Sequence, residues 1–264
     1  MQRRHSLRHL AWRGGVAAVS HALMFSGVYP LVPHAVRRLG GGRATVKSTL
    51  AEWGMAALVS AARPLGFLPL ASGHGPRPII VLHGYAMNRA NFAVLALRLR
   101  AAGLGPVLGF EYWTLGRVAA GARQLGWFVD EVRAETGAAK VDLIGHSMGG
   151  VVARYYAALA GGAAAVDHVI TIGSPHGGTD VGGFGIGHPA RELVLGSRLI
   201  QRLQAAPVQT KLTTILSEAD ALVPASMQPE IPGAERIVYD DLGHVAMLGS
   251  KRVARDIIER LASE

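Results

Sequence analysis

The chain has 264 residues, of which half are hydrophobic and 17% are charged, and it carries a formal net charge of +9. A chain of this length and composition forms one domain of ordinary size with an extension and buries a core readily, which excludes general disorder. It contains no cysteine. This excludes disulfides, thiolate metal sites and a cysteine nucleophile.

The positive charge is concentrated near the N-terminus. Residues 1–74 hold nine Lys or Arg residues and one acid, Glu52, whereas residues 75–264 hold eighteen bases and seventeen acids. Nucleic-acid binding requires a basic patch on the folded domain, so this distribution argues against a nucleic-acid partner. It favours contact of residues 1–62 with a membrane surface.

Two helical stretches are predicted in this basic part. An apolar run at 14–33 follows four arginines and has the length of a membrane span. It lacks a clean small-residue cleavage site, so it predicts an uncleaved anchor or a helix that rests on the membrane rather than a secretory signal. A second helix is predicted at Thr45–Ala62, and packing of both helices on the rest of the chain is the alternative. One face of the second helix is apolar and consists of Leu50, Trp53, Ala57, Leu58 and Ala61.

A linker is predicted at Arg63–Pro78, which is rich in proline and glycine. It divides the chain into a helical extension with its linker, at 1–74, and a main domain at 75–264. In the main domain, six apolar runs of strand length alternate with helical patterns. The predicted strands are Pro78–Leu82, Pro106–Phe110, Val141–Ile144, His168–Ile172, Leu212–Leu216 and Glu235–Tyr239. The predicted helices are Ala90–Ala102, Leu115–Glu135, Val151–Leu159, Ala190–Leu203 and Val245–Ala262.

This alternation predicts an α/β fold with an open, mostly parallel sheet and helices on both faces. Ligands bind such sheets at the carboxyl ends of the strands. The motif G-H-S-M-G follows the third strand and precedes a helix, with Ser147 at its apex. It is a G-x-S-x-G nucleophile elbow, in which a Cβ on Gly145 or Gly149 would clash with neighbouring backbone. Ser147 is the predicted nucleophile, and a glycine-lined structural turn is the alternative.

A serine nucleophile needs a base, and an imidazole base needs an acid that fixes its tautomer. The order expected with this elbow is serine, acid, histidine. His244 follows the sixth strand and is the predicted base. Asp220 follows the fifth strand and is the predicted acid, in competition with Glu218, Asp240 and Asp241.

The other histidines near strand ends have different expected roles. His146 is expected to point away from the elbow and pack, and His83 is expected to shape the loop after the first strand. His176 and His188 lie in a glycine-rich loop and are expected at the surface, with substrate contact as the alternative.

Hydrolysis through a serine also needs two main-chain N–H donors for the tetrahedral oxyanion. They are predicted at Met148, directly after the nucleophile, and at Tyr85, in the loop after the first strand. The acids are scattered without ligand spacing, so no metal site is predicted.

Several motifs between Pro78 and Leu261 resemble the α/β-hydrolase family, and within it the small bacterial lipases and carboxylesterases. They are H-G-Y with Asn88 and Phe92 downstream, G-H-S-M-G-G-V-V-A-R-Y, I-G-S-P-H-G-G-T, D-A-L-V-P and G-H-V-A-M-L. The resemblance implies hydrolysis of acyl esters, lipid-like ones included, through a serine acyl-enzyme and without a cofactor. It carries the same roles onto Ser147, Asp220, His244, Tyr85 and Met148. The extension at 1–74 matches nothing in this pattern and predicts a membrane-associated or exported protein of the bacterial cell envelope, with the cytoplasm as the alternative.

A lid over the site is predicted at 174–209, which joins a glycine-rich loop to an amphipathic helix; a packed surface helix is the alternative. Acyl transfer and thioester hydrolysis use the same triad and stay open. A non-catalytic, membrane-docked interaction protein is the alternative from another class. Epoxide hydrolysis would need an aspartate at the elbow in place of Ser147.

Overall fold

The structure is a computed structural model that describes residues 46–68, 70, 73, 75, 77–180 and 187–262. The apolar run 14–33 lies outside these residues. Six strands form one parallel sheet in the order β2-β1-β3-β4-β5-β6. The strands are β1 (Ile79–Leu82), β2 (Val107–Phe110), β3 (Val141–His146), β4 (Val166–Ile172), β5 (Lys211–Ser217) and β6 (Glu235–Tyr239). All six predicted strands are therefore present.

Eight α-helices occur in the described part of the chain. They are α1 (Val46–Ala61), α2 (Ala93–Ala101), α3 (Val118–Thr136), α4 (Met148–Leu159), α5 (Pro189–Glu192), α6 (Arg198–Ala205), α7 (Ala246–Gly249) and α8 (Lys251–Ala262). Short 3₁₀ helices at Arg63–Phe67 and Arg89–Phe92 precede β1 and α2. No helix that the structure describes is both long and apolar enough to cross a bilayer.

Two predicted helices are each divided into two. The predicted helix Ala190–Leu203 is interrupted by Gly196, which has φ +70°, and by Ser197. The Ser197 hydroxyl accepts a hydrogen bond from the Ile200 N–H at 3.2 Å and so begins α6 as an N-cap. The predicted helix Val245–Ala262 is interrupted at Ser250, whose backbone is extended.

The sheet is covered on both faces, as a buried parallel sheet requires. One core packs α3, α4 and α6 on the sheet, and a second core packs α1, α2, α7 and α8 on the opposite face. β3 contributes to both, with Leu143 in the first core and Ile144 in the second. Because all six strands are parallel, the loops that follow them lie at one edge of the sheet.

Helix α1 packs on the second core through one face. Ala56 and Val59 are buried there, whereas Leu50 is 68% exposed, Trp53 48% and Leu58 52%. The predicted apolar face is thus the outward one, and the helix packs on the main domain through the opposite face. The chain therefore shows the packing that was the alternative for this helix, and it also leaves an apolar face exposed.

Candidate active site

Ser147 occupies the turn between β3 and α4 with φ +55° and ψ −125°. A side chain larger than glycine's rarely adopts positive φ, and such strain persists only where the surroundings enforce it. The Ser147 N–H donates to the Ile172 carbonyl at 2.8 Å. The turn is thereby fixed to the end of β4, with the serine side chain partly exposed.

The glycines beside Ser147 are required by close backbone contacts. A Cβ on Gly145 would collide with the backbone of Gly150, and one on Gly149 would collide with the carbonyl oxygens of Leu82 and His83. The loop after β1 also lies against the elbow, because a Cβ on Gly84 would fall 3.1 Å from the Ser147 Cβ. These contacts match the clash predicted for the elbow.

Asp220 and His244 form a buried hydrogen-bonded pair. The Nδ1 of His244 donates to Oδ2 of Asp220 at 2.7 Å. The other carboxylate oxygen, Oδ1, accepts from the N–H groups of Leu222 and Val223, both at 2.8 Å. A proton on Nδ1 leaves Nε2 of His244 as the acceptor, which is the tautomer that a general base needs.

The environment of His244 favours its protonated form. Burial lowers the pKa of His244, but the charge and hydrogen bond of Asp220, together with the charge of Glu52, outweigh burial and raise the pKa above its ordinary value. The raised pKa makes Nε2 of His244 a stronger proton acceptor.

The acids that competed with Asp220 have other partners or lie at the surface. The Oε2 of Glu218 accepts from the Ser226 N–H at 3.3 Å, and Asp241 pairs with Arg252 on α8. Asp240 is exposed. Of these four acids, Asp220 is the one that the fold places in hydrogen-bond contact with His244.

Two residues to which the sequence assigned no individual role support this pair. A Cβ on Gly173, at the end of β4, would lie 3.1 Å from both Oδ2 of Asp220 and Nδ1 of His244. The Ser217 hydroxyl, at the end of β5, accepts from the N–H groups of Ala219 and Leu242, both at 3.2 Å. Ser217 thereby connects the loop that carries the acid to the loop that carries the base.

His146 and His83 are both buried next to the site. The ring of His146 packs on His244 with 4.7 Å between ring centroids, and its Nε2 lies 3.0 Å from the His244 carbonyl. Burial lowers the pKa of His146 well below its ordinary value, so it packs as a neutral ring. Packing was expected, whereas contact with the predicted base was not. His83 stacks on Tyr112 and contacts Glu111 in the loop after β2.

The surface position expected for His176 is wrong. His176 is buried, and its Nε2 lies 3.1 Å from Oγ1 of Thr171. Burial and the nearby Arg154 lower its pKa to about 3. The loop after β4 is buried around His176. The glycine-rich sequence of this loop does not predict that burial. His188 is exposed, as expected.

The two predicted oxyanion donors both belong to segments next to Ser147. Met148 is the first residue of α4, and the first N–H groups of a helix have no partner within it. Tyr85 lies in the loop that Gly84 brings against the elbow, and it is followed by Ala86 at φ +55°. The Ala86 N–H donates to Oγ1 of Thr114 at 3.3 Å. No group of three or more metal-ligating side chains is arranged to hold an ion in the described residues.

Comparisons with known proteins find sequence similarity around the elbow. A model of the PGAP1-like alpha/beta domain matches residues 126–182, which include β3, Ser147, α4 and β4. A triacylglycerol lipase of Pseudarthrobacter phenanthrenivorans is 51% identical over 61 residues, 23% of this chain and 18% of the relative. A triacylglycerol lipase of Burkholderia plantarii is also 51% identical over 61 residues, 16% of its length. The chain spans less than a fifth of the length of these curated relatives.

Solved structures match over a larger part of the chain. A mature lipase of Bacillus licheniformis superposes with a TM-score of 0.63 at 16% identity, covering 73% of this chain and 95% of the lipase. A monoacylglycerol lipase of Paleococcus ferrophilus superposes with a TM-score of 0.55 at 18% identity, covering 73% and 97%. At these identities the structures establish a shared fold.

Proposed function

We propose that this protein, which has the α/β-hydrolase fold, hydrolyses carboxylic esters through an acyl-enzyme on Ser147. The observation that carries the proposal is the buried His244–Asp220 pair at the same sheet edge as a serine held at positive φ. A structural turn would not need a buried acid–imidazole pair beside it. The sequence relatives named triacylglycerol lipase support the same reaction class.

In the proposed first step, the Ser147 hydroxyl oxygen attacks the ester carbonyl carbon while Nε2 of His244 takes the hydroxyl proton. The resulting oxyanion accepts hydrogen bonds from the N–H groups of Met148 and Tyr85. Collapse of the intermediate breaks the bond to the alcohol oxygen, and the alcohol leaves with the proton from His244. Asp220 holds the imidazole in the required tautomer and stabilises its charged form.

In the second step, a water molecule attacks the acyl-enzyme and His244 takes its proton. The new intermediate returns the serine oxygen as leaving group, which receives that proton, and the carboxylic acid departs. Losing one oxyanion donor costs on the order of 3–4 kcal/mol in the barrier. Both proposed donors are main-chain groups, so side-chain substitutions do not remove them.

Ester hydrolysis by the full chain is the direct test. Purified protein is assayed with p-nitrophenyl esters from short to long acyl chains, and Ser147→Ala serves as the matched inactive variant. We expect hydrolysis that depends on Ser147 and increases toward longer, lipid-like chains. Added alcohols separate hydrolysis from acyl transfer through the distribution of products. Equal rates for the two proteins would refute the role of Ser147.

We also propose that the outward face of α1 contacts a lipid surface. Leu50, Trp53 and Leu58 are exposed there, and the segment 1–74 that contains them has nine bases and one acid. Exposed apolar side chains on a basic segment bind anionic bilayers by burial and by charge.

Sedimentation with anionic phospholipid vesicles tests this contact. We expect the full chain to co-sediment at low salt and Trp53→Glu to weaken that binding. Trp127→Glu is the matched control, because Trp127 is also exposed but lies on α3, which covers the opposite face of the sheet. Full retention of the wild-type protein in the supernatant, or equal effects of both variants, would contradict the proposal.

A further inference from the structure

Glu52 is the one acid in residues 1–74, and it is buried beside the loop of the proposed base. It lies on α1, and it is only 8% exposed. Its Oε2 accepts from the N–H of Val245 at 2.9 Å and from the N–H of Ala246 at 2.8 Å, and its Oε1 lies 3.0 Å from the same Val245 nitrogen. These two N–H groups belong to the residues that directly follow His244.

The main chain around His244 accommodates α1 through two glycines. A Cβ on Gly243 would collide with the Glu52 carboxylate, and one on Gly249 would lie 2.9 Å from the Met55 sulfur. Any larger residue at Gly243 would push the carboxylate away from the N–H groups that it binds. The contact between α1 and the histidine loop is therefore a close fit on both sides.

A buried carboxylate has a desolvation cost, so its position requires compensation. Burial, with a smaller contribution from the charge of Asp220, raises the pKa of Glu52 above its ordinary value, although the two N–H groups and the charge of His244 act in the opposite direction. The charged and titratable groups that face His244 are Asp220 from the β5 loop, Glu52 from α1 and the neutral ring of His146 from β3. Glu52 is thus a second acid that acts on the His244 imidazole. It acts through its negative charge and through the main-chain N–H groups that follow His244.

The C-terminal side of α1 holds the other loop of the site. Arg63 donates through Nη2 to the carbonyl of Ala86, directly after the proposed donor Tyr85. The Nδ2 of Asn88 donates back to the Arg63 carbonyl at 3.0 Å. The segment 46–67 therefore contacts both the histidine loop and the oxyanion loop, which are far apart in sequence.

We propose that Glu52 is a positioning residue for His244, which fixes the loop of the base by binding its main-chain N–H groups from outside the main domain. The proposal rests on the proposed function of Ser147 and His244. Residues 46–67 then help to position the active-site loops, even though no motif of the hydrolase pattern occurs in them. A small displacement of the imidazole from the serine would lower the rate of acylation without removing any reacting group.

The test compares Glu52→Gln with Glu135→Gln, which makes the same chemical change at an exposed position of α3. A glutamine at 52 has nearly the same volume but lacks the charge and one of the two acceptor oxygens. We expect kcat to fall by roughly tenfold to a hundredfold, the range for a slight misplacement of a catalytic group, with little change in KM. The acidic limb of the rate profile moves to lower pH, because a charge that raises the pKa of His244 is gone. Glu135→Gln keeps the wild-type values.

A purely structural role gives a different result. If the loss of kcat in Glu52→Gln equals the loss of folded protein measured by circular dichroism, and the pH profile stays in place, the positioning role is refuted. A variant with wild-type kcat and pH profile refutes it equally. Glu52→Gln is preferred to Glu52→Ala because glutamine retains one acceptor oxygen. Glu52→Gln and Glu135→Gln are measured at a temperature where each is folded.

A second readout is independent of ester hydrolysis. The imidazole of His244 is titrated by NMR, and hydrogen exchange of the Val245 and Ala246 amides is followed in the same samples. Glu52→Gln is expected to lower the pKa of His244 and to speed the exchange of both amides, whereas unchanged values overturn the inference. These results distinguish failure of the inference from failure of the proposed function, because they are obtained even from a chain that hydrolyses no ester.

Discussion

Gly173 offers the sharpest test of the geometry at the acid–base pair. It has φ +57°, and a Cβ there would lie 2.9 Å from the Met247 terminal methyl and 3.1 Å from both Asp220 Oδ2 and His244 Nδ1. Ordinary carbon contacts begin at 3.4 Å, so Gly173→Ala must move the pair by a few tenths of an ångström. That shift disturbs a hydrogen bond of 2.7 Å.

Two separable effects follow from this substitution. An alanine at positive φ costs roughly 1–2 kcal/mol in the free energy of unfolding. Displacement of the pair lowers kcat/KM by about tenfold to a hundredfold, since misplaced catalytic groups lose up to about 10²-fold. Gly161→Ala is the matched control, because Gly161 has φ +82° but no neighbour within 4 Å of its Cβ position.

Stopped-assay kinetics with a p-nitrophenyl ester and denaturant unfolding measure both effects on the same samples. We expect the two variants to lose similar stability and only Gly173→Ala to lose activity. If Gly161→Ala loses as much activity as Gly173→Ala, or if Gly173→Ala remains fully active, the reasoning about the pair is refuted.

The remaining predictions concern titration and loop support. Asp220→Asn is expected to lower kcat by about 10⁴-fold, as loss of a triad acid does. It also moves the acidic limb of the pH–rate profile to lower pH, because the charge that most raises the pKa of His244 is removed. An acidic limb at the wild-type pH in the residual activity would contradict this. In the wild type, kcat/KM falls as the pH drops through the raised pKa of His244, above the ordinary 6.5, since only the neutral imidazole is a base. Between pH 6.5 and about 3 the unfolded chain carries a proton on His176 that the folded chain does not, so this residue lowers the free energy of unfolding as the pH falls. His176→Asn is expected to reduce the difference in the free energy of unfolding between pH 7 and pH 5, measured by denaturant unfolding. Ser217→Ala leaves the N–H of Leu242 without its acceptor and is expected to cost about 1–3 kcal/mol of stability, which a value near zero would contradict.

The fold could be predicted because the central strands of the sheet are buried on both faces. Runs such as Ile79–Leu82 are continuously apolar for this reason, and alternation with helices then implies a parallel sheet. Boundaries were less predictable where a single residue decides them. Gly196 and Ser197 end one helix and begin another, although the apolar spacing continues through both.

The proposed triad could be predicted from the order of serine, acid and histidine along the chain and from the position of each residue directly after a predicted strand. Both features can be read from the sequence. The contacts that support it are not local. Glu52 binds Val245 across a separation of 193 residues, and a single acid on an apolar helix gives no sign of its partner. Gly173 and Ser217 are small residues at strand ends, and their importance depends on which neighbours the fold brings within contact distance. The burial of His176 was missed for the same reason.

The central claim is that Ser147 is a nucleophile activated by His244. Reaction of the full chain with a fluorophosphonate probe, followed by mass spectrometry of the modified peptide, tests it most directly. We predict a single phosphonyl adduct on Ser147, formed slowly in His244→Ala and absent in Ser147→Ala. A folded wild-type protein that does not react, or a Ser147→Ala variant that reacts equally well, would contradict the account.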